Sequence, residues 1–171
     1  MTEPINIIKL TNNGKGFYSC DIPIAKEEWL DLLKDKALVK PEFRASLLSF
    51  YFMTGHKATC YQCAEKYGYS INAYNASVSS LGQAIVKKLG SFKIADEEGK
   101  ERFWPVVMGG GKDVKVDGKP QFEWTLRKEL VEAIEETLIE NAIQQYAAGF
   151  EENFPKEEYK WQAVQHFQDN W

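Results

Sequence analysis

Residues 59–89 constrain the fold more than any other part of the chain. Their pattern predicts two helices, each with a capping residue at its start, separated by one tight turn. Thr59 can cap a short helix that runs to residue 67, and Gly68 suits the left-handed conformation that ends a helix. Ser70 can then cap a longer helix, and Gly90 follows its last turn. This pattern predicts a helix-turn-helix.

The longer predicted helix has an apolar side and a polar side. Its inward stripe is predicted to consist of apolar residues three or four positions apart: Ile71, Tyr74, Val78, Leu81, Ile85 and Leu89. Short polar side chains, Asn72, Asn75, Ser77 and Ser79, are expected to face outward, together with Ser70 at the cap. Side chains of this kind can lie against phosphates and read base edges. A three-helix core that contacts protein would have the same pattern.

The remaining elements complete the predicted architecture. Helices are expected at residues 24–33 and 41–53 before this segment. A β-hairpin is expected at residues 92–108, a loop at 109–120 and a third strand at 122–126. Three helices followed by a small antiparallel sheet predict an α+β fold with a winged-helix-like core.

The chain is predicted to consist of three regions. Residues 1–36 are predicted to form an arm, either a short strand or an extended segment, followed by a short helix, and residues 37–126 the winged core. Residues 127–171 are predicted to contain C-terminal helices, one ending near Gly149 and another at Pro155–Phe167. We expect them to lead into a further domain.

Charge is distributed unevenly. Residues 37–93 carry seven basic and two acidic side chains, whereas residues 91–171 carry ten basic and seventeen acidic ones. Such asymmetry suggests separate surfaces for separate partners. The basic middle favours DNA, and the acidic, aromatic C-terminal helices favour a protein partner.

Several basic residues are candidates for phosphate contacts, because counterion release by Lys and Arg supplies affinity for nucleic acids. We expect the following to hold phosphates: Lys57, Lys87 and Lys88 near the helices, and Lys93 and Arg102 in the predicted wing. Trp104 and Trp124 are either core residues or the walls of a pocket for a flipped or modified base.

The sequence predicts no enzyme. It contains two histidines, His56 and His166, and neither a nucleophile motif nor a catalytic carboxylate cluster is evident, so no catalytic residue is proposed. His56 with the cysteines at 20, 60 and 63 lacks the spacing of a zinc site, and Gly109–Lys112 lacks that of a phosphate-binding loop. We expect no metal, no cofactor and no membrane segment, and a cytoplasmic protein with reduced thiols.

Two segments resemble a known family. Residues 122–134, Phe-Glu-Trp-Thr-Leu-Arg-Lys-Glu-Leu-Val-Glu-Ala-Ile, and residues 159–171 are similar to segments ahead of the motor in McrB-like restriction proteins of the AAA+ class. The resemblance implies a bacterial-defence module that recognises DNA, modified or unmodified, for a separate nuclease. The chain has no Walker sequence, so neither GTP hydrolysis nor DNA cleavage is implied for it.

The sequence therefore predicts a DNA-recognition module. The alternative is a protein-interaction or oligomerisation module that uses a winged-helix scaffold. A third hypothesis is a small transcription regulator, which would bind two half-sites as a symmetric dimer.

Overall fold

A computed structural model describes the backbone of residues 4–151 and the side chains of residues 4–140. Six α-helices and one 3-10 turn at Thr54–His56 lie in this part of the chain. The helices are α1 Lys26–Lys34, α2 Pro41–Phe52, α3 Cys60–Tyr67, α4 Ile71–Leu89, α5 Trp104–Val107 and α6 Lys128–Glu151. The strands are β1 Asn6–Lys9, β2 Thr11–Asn12, β3 Phe17–Ser19, β4 Lys57–Thr59, β5 Phe92–Ala95, β6 Met108–Val116 and β7 Lys119–Leu126.

The fold is mixed α+β with a small antiparallel sheet. Five strands pair in the order β2-β3-β6-β7-β4, and β4 joins the sheet antiparallel to β7. A separate two-stranded sheet consists of β1 and β5 in parallel. The N-terminal segment is extended, as predicted, and its strands pair with strands from later in the chain.

α2 begins, and α3 and α4 end, at the residues that the sequence predicted. Pro41 begins α2, where a missing N–H costs nothing. Gly68 and Gly90 adopt the left-handed conformation after α3 and α4, with φ of 89° and 64°. Local capping chemistry therefore determines these boundaries.

The hairpin predicted at residues 92–108 is wrong in its second half. The first strand forms as β5, and the turn at Asp96 forms because its carboxylate accepts the N–H groups of Glu98 and Lys100. The chain then makes one isolated bridge, Ala95 to Glu101, and enters α5. Pro105 favours this helical turn, since it has no N–H to donate to a strand and its φ suits a helix start.

The loop predicted at residues 109–120 is also wrong, because this segment forms most of a long hairpin, β6 and β7. Asp117 and Gly118 connect the strands with φ of 52° and 77°. Two positive φ values at the centre of a two-residue connection are typical of a type I′ turn, for which Asp-Gly is a favoured pair. Alternating Val114 and Val116 before Asp-Gly were the sequence signal for this hairpin.

The core lies between the sheet, the central helices and the long helix α6. α4 contacts α2, α3 and α5, while α1 packs against α6. Trp29 of α1 is 1% exposed, and Leu130 and Ile134 of α6 are fully buried. The helix α6 continues past Gly149, where its end was predicted, and the helix predicted at residues 155–167 lies outside the described residues.

Candidate nucleic-acid interface

The turn between α3 and α4 is held by side-chain caps. The Thr59 hydroxyl accepts the Gln62 N–H at 3.1 Å, and the Gln62 side chain accepts the Thr59 N–H at 2.9 Å. At the start of α4, the Ser70 hydroxyl accepts the Ala73 N–H at 3.1 Å. These bonds satisfy N–H groups that a helix start otherwise leaves unpaired, so both helices start at defined residues.

The outward face of α4 matches the prediction for most residues. Asn72 and Asn75 are exposed, and Ser79 is half-buried. Ser77 is only 8% exposed, so its predicted outward position is wrong. It lies three residues after Tyr74 and four before Leu81, and this spacing puts it on the inward stripe.

The inward stripe is also shorter than predicted. Ile71 was expected to pack into the core, yet it is 46% exposed. The first turn of α4, which contains Ile71, projects beyond the core. The inward stripe therefore begins at Tyr74, which is 1% exposed. The Tyr74 hydroxyl lies 3.2 Å from that of Ser49 in α2, which ties the two helices together.

The basic residues near the helices lie on two elements, β4 and the last turn of α4. Lys57, at the start of β4, and Lys87, in the last turn of α4, are both exposed. Lys88 forms an ion pair with Asp35, and hydrogen bonding to this ammonium lowers the pKa of Asp35. Asn72 and Lys88 are separated by about 24 Å along the helix axis. If the first turns of α4 lie in a DNA groove, Lys88 is therefore too far along the helix to contact the same stretch of that groove.

Lys93 lies on β5, but the second strand predicted to carry Arg102 does not form, although the Arg102 N–H donates to the Ile94 carbonyl at 2.8 Å. Lys93 is exposed on β5, next to β1. Arg102 follows the turn, and its Nε lies 3.0 Å from the Asp96 carboxylate. Hydrogen bonds from the Lys100 backbone and then from Arg102 hold the pKa of Asp96 below its usual value. This segment is rich in acids, which opposes contact with a phosphate.

The hairpin of β6 and β7 carries basic residues that the sequence pattern did not predict to be part of a wing. Lys112, Lys115 and Lys119 are exposed along it. Asp113 and Asp117 are interspersed with them, so its net charge stays small. The missed signal was the Asp-Gly turn, because the glycine run before it was interpreted as a loop.

The two tryptophans have different surroundings. Trp124 is 5% exposed, packs against Phe50 and stacks on Trp104 with ring centroids 6.1 Å apart. Trp124 is therefore a core residue. Trp104 is half-buried and lines a cavity of about 430 Å³ together with Tyr18 and Phe122.

The polar groups near the helices are held in structural contacts. The His56 ring nitrogen Nδ1 lies 2.7 Å from the Tyr51 carbonyl oxygen. Burial raises the pKa of Cys60 to about 11 and that of Cys63 to about 12, so both are neutral thiols at pH 7. Among the described residues, no three His, Cys, Asp or Glu side chains are grouped closely enough to hold a metal ion.

Comparison of the chain with protein-family models, with characterised proteins and with solved structures found no match. In the part of the chain that the structure describes, no helix combines the length and apolar character needed to cross a membrane.

Proposed function

We propose that the region from α2 to β7 is a winged-helix DNA-recognition module in which the first turns of α4 enter the major groove. In helix-turn-helix proteins the second helix lies in the groove, with its N-terminal residues against base edges. Asn72 and Asn75 are the base-reading residues in this proposal, and Ser70 and Ser79 flank them. Asn suits this role because its amide can pair bidentately with adenine.

The observation that carries the proposal is the order of the elements. In a winged helix, a strand between the first and second helices pairs with the last strand of a hairpin that follows the third helix. The order α2, β4, α3, α4, β6, β7 has this arrangement, and β4 pairs with β7. An insert of β5 and α5 separates α4 from the hairpin. The proposed wing is thus the β6–β7 hairpin, with its tip at Asp117 and Gly118.

The surface of α4 also favours DNA. None of its nineteen residues is acidic, although the chain contains 25 Asp and Glu residues. A carboxylate on this helix would repel the phosphate backbone, so its absence from the helix removes an obstacle to docking. Lys87, exposed in the last turn of α4, adds positive charge at the C-terminal end of this surface, about 22 Å along the helix axis from Asn72.

A finer proposal is that the module recognises DNA for an McrB-like restriction complex. It rests on the resemblance of residues 122–134 and 159–171 to that family. It predicts that the protein discriminates between unmodified and cytosine-methylated duplexes.

Fluorescence anisotropy of labelled duplexes, unmodified and methylated, tests both proposals at about 50 and 200 mM salt. We expect binding that weakens with salt, and a loss of about 30-fold or more in the Asn72→Ala/Asn75→Ala variant, because it removes two bidentate base contacts of about 1–3 kcal/mol each. Gln83→Ala is the matched control, since Gln83 is exposed on the same helix, about 12 Å farther along than Asn75. Salt-independent binding, or an equal loss in both variants, would contradict the groove assignment.

A protein-interaction module is the second candidate, and one observation favours it. Three large apolar side chains around the helix-turn-helix are exposed: Tyr61 by 44%, Tyr69 by 52% and Ile71 by 46%. Tyr69 and Ile71 flank Ser70, and exposed apolar groups that form a contiguous patch mark protein interfaces. Light scattering after size exclusion separates the candidates: a dimer that Tyr69→Ser/Ile71→Ser converts to monomer, without DNA binding by either protein, supports the interaction module.

A further inference from the structure

The cavity beside Trp104 is formed where three parts of the chain meet. Tyr18 comes from β3, Trp104 from the insert between α4 and the hairpin, and Phe122 from β7. The Phe122 ring centroid lies 5.9 Å from that of Tyr18 and 5.5 Å from that of Trp104. With a volume of about 430 Å³, the cavity is in the size range of sites for small organic ligands.

The polar lining of this cavity has a surplus of negative charge. Four carboxylates and one guanidinium contribute to it, and the Arg102 guanidinium is paired with Asp96. Glu97, Glu98 and Asp113 remain, all exposed and without an ion pair to any described residue. The cavity therefore combines three aromatic rings with three carboxylates that form no ion pair with the described residues.

We propose that this cavity binds an organic cation of the alkylammonium or guanidinium type. The faces of aromatic rings attract cations, and the attraction strengthens where water is displaced from the ring. The carboxylates add Coulomb attraction to a cation and repel phosphate-bearing ligands. The site does not depend on DNA binding, because it shares no residue with the outward face of α4.

The same chemistry has two sources, a small free cation and the side chain of a lysine or arginine in a protein partner. The cavity opens to solvent at its carboxylates, so both can enter. A neutral nucleobase is the competing ligand, since carboxylates also accept the amino group of cytosine. The phosphate of a nucleotide, however, would be repelled by the carboxylates that line the cavity.

The test follows the indole N–H resonance of Trp104 in two-dimensional ¹⁵N NMR spectra of the full chain, assigned with a Trp104→Phe variant. The probes are choline and its neutral isostere 3,3-dimethylbutanol, which has the same shape without the charge. We expect the Trp104 signal to shift and saturate with choline, and about tenfold weaker binding of the isostere. Equal affinity for the two, or no shift with choline, would overturn the proposal.

A charge variant provides the second arm. Glu97→Gln/Glu98→Gln/Asp113→Asn is expected to weaken choline binding about tenfold. Its matched control, Glu27→Gln/Asp31→Asn/Glu65→Gln, removes the same charge from exposed positions outside the cavity lining and should bind as the unmodified protein does. Equal weakening in both variants would show that only the net charge matters, and would refute a site at the cavity.

Two further probes identify the source. Tighter binding of a trimethyllysine peptide than of free trimethyllysine supports a protein partner, and equal affinities support a small molecule. A preference for 5-methyl-2′-deoxycytidine over choline would overturn the cation assignment in favour of a base pocket.

Discussion

Gly82 lies in the middle of α4, where it faces the backbone of Phe103, the residue before α5. A Cβ atom at this position would lie 2.1 Å from the Phe103 carbonyl oxygen and 2.9 Å from the carbonyl carbon. Contacts of a Cβ under 3.0 Å are essentially never observed. The Gly82→Ala variant therefore requires α5 to move away from α4 by about 1 Å, since the oxygen must retreat to roughly van der Waals distance.

The net effect on stability is a balance of three contributions. Alanine stabilises a helix interior by about 1 kcal/mol relative to glycine. Overpacking costs about 1–3 kcal/mol, because neighbouring backbone has to shift. The Phe103 carbonyl also accepts the Val106 N–H at 3.1 Å, and disturbing this bond costs about 1 kcal/mol. We expect the free energy of unfolding to fall by about 1–3 kcal/mol.

Urea denaturation, followed by tryptophan fluorescence and circular dichroism, measures this change. The control is Ser80→Ala, because Ser80 is exposed on the same helix, and alanine there should change the free energy of unfolding by less than about 0.5 kcal/mol. Trp104 belongs to α5, so its indole NMR signal should also move in the Gly82→Ala variant. If Gly82→Ala were as stable as the unmodified protein, the close packing of α4 on α5 would be wrong.

Three other perturbations have defined outcomes. Thr59→Ala should lower the free energy of unfolding, measured in urea, by about 1 kcal/mol. Thr59→Ser should lower it much less, since a serine hydroxyl can also cap α3. Arg127→Met should lower it by about 3 kcal/mol, because the guanidinium donates to the carbonyls of Cys20, Pro105 and Val106 at 2.9–3.0 Å and its loss leaves them unpaired; a change below 1 kcal/mol would contradict this. The raised pKa values of Cys60 and Cys63, about 11 and 12 against an ordinary 9.0, mean that unfolded thiols lose protons first. Stability should therefore be unaffected by these thiols below pH 9 and fall by about 1 kcal/mol per pH unit for each between pH 9 and 11; Cys60→Ala/Cys63→Ala should remove most of that slope in pH-dependent urea titrations.

The elements that the sequence predicted correctly are those that depend on local chemistry. Thr59, Ser70 and the two left-handed glycines act within a few residues of the helix ends that they set, so their effect can be deduced from neighbours in sequence. The outward position of Asn72 and Asn75 follows in the same way from helical periodicity. These predictions needed no knowledge of the tertiary fold.

The glycine run at residues 109–111 shows why the hairpin was missed. A Cβ on Gly110 would lie 2.9 Å from the Phe17 ring, and one on Gly111 would lie 2.4 Å from the Phe122 ring. Glycine is required at these positions because aromatic rings pack directly over the strand. In sequence, however, a run of glycines also resembles a flexible loop. The partners come from residues 17 and 122, and only the tertiary fold brings them to this place.

The cavity was missed for a related reason. Tyr18, Trp104 and Phe122 are distant in sequence, and the pairing of β3 with β6 and of β6 with β7 brings two of them together. The insert then adds Trp104 and the carboxylates of the Asp96 turn. A base-binding pocket formed by Trp104 and Trp124 was a reasonable alternative from the sequence, but the stacking of these rings buries one of them.

The distribution of charge connects the two proposed surfaces. α4 has no acidic residue, while the insert that follows it carries Asp96, Glu97, Glu98 and Glu101. The insert packs against α4 at Gly82, about 10 Å along the helix axis from Asn75 and about 15 Å from Asn72. If the DNA extended along α4 toward the cavity, its phosphates would be repelled by the carboxylates of the insert. This repulsion favours DNA placed against the N-terminal half of the helix. DNA affinity in the Glu97→Gln/Glu98→Gln/Asp113→Asn variant should then rise modestly or stay constant, whereas a loss of affinity would mean that these carboxylates contact bases.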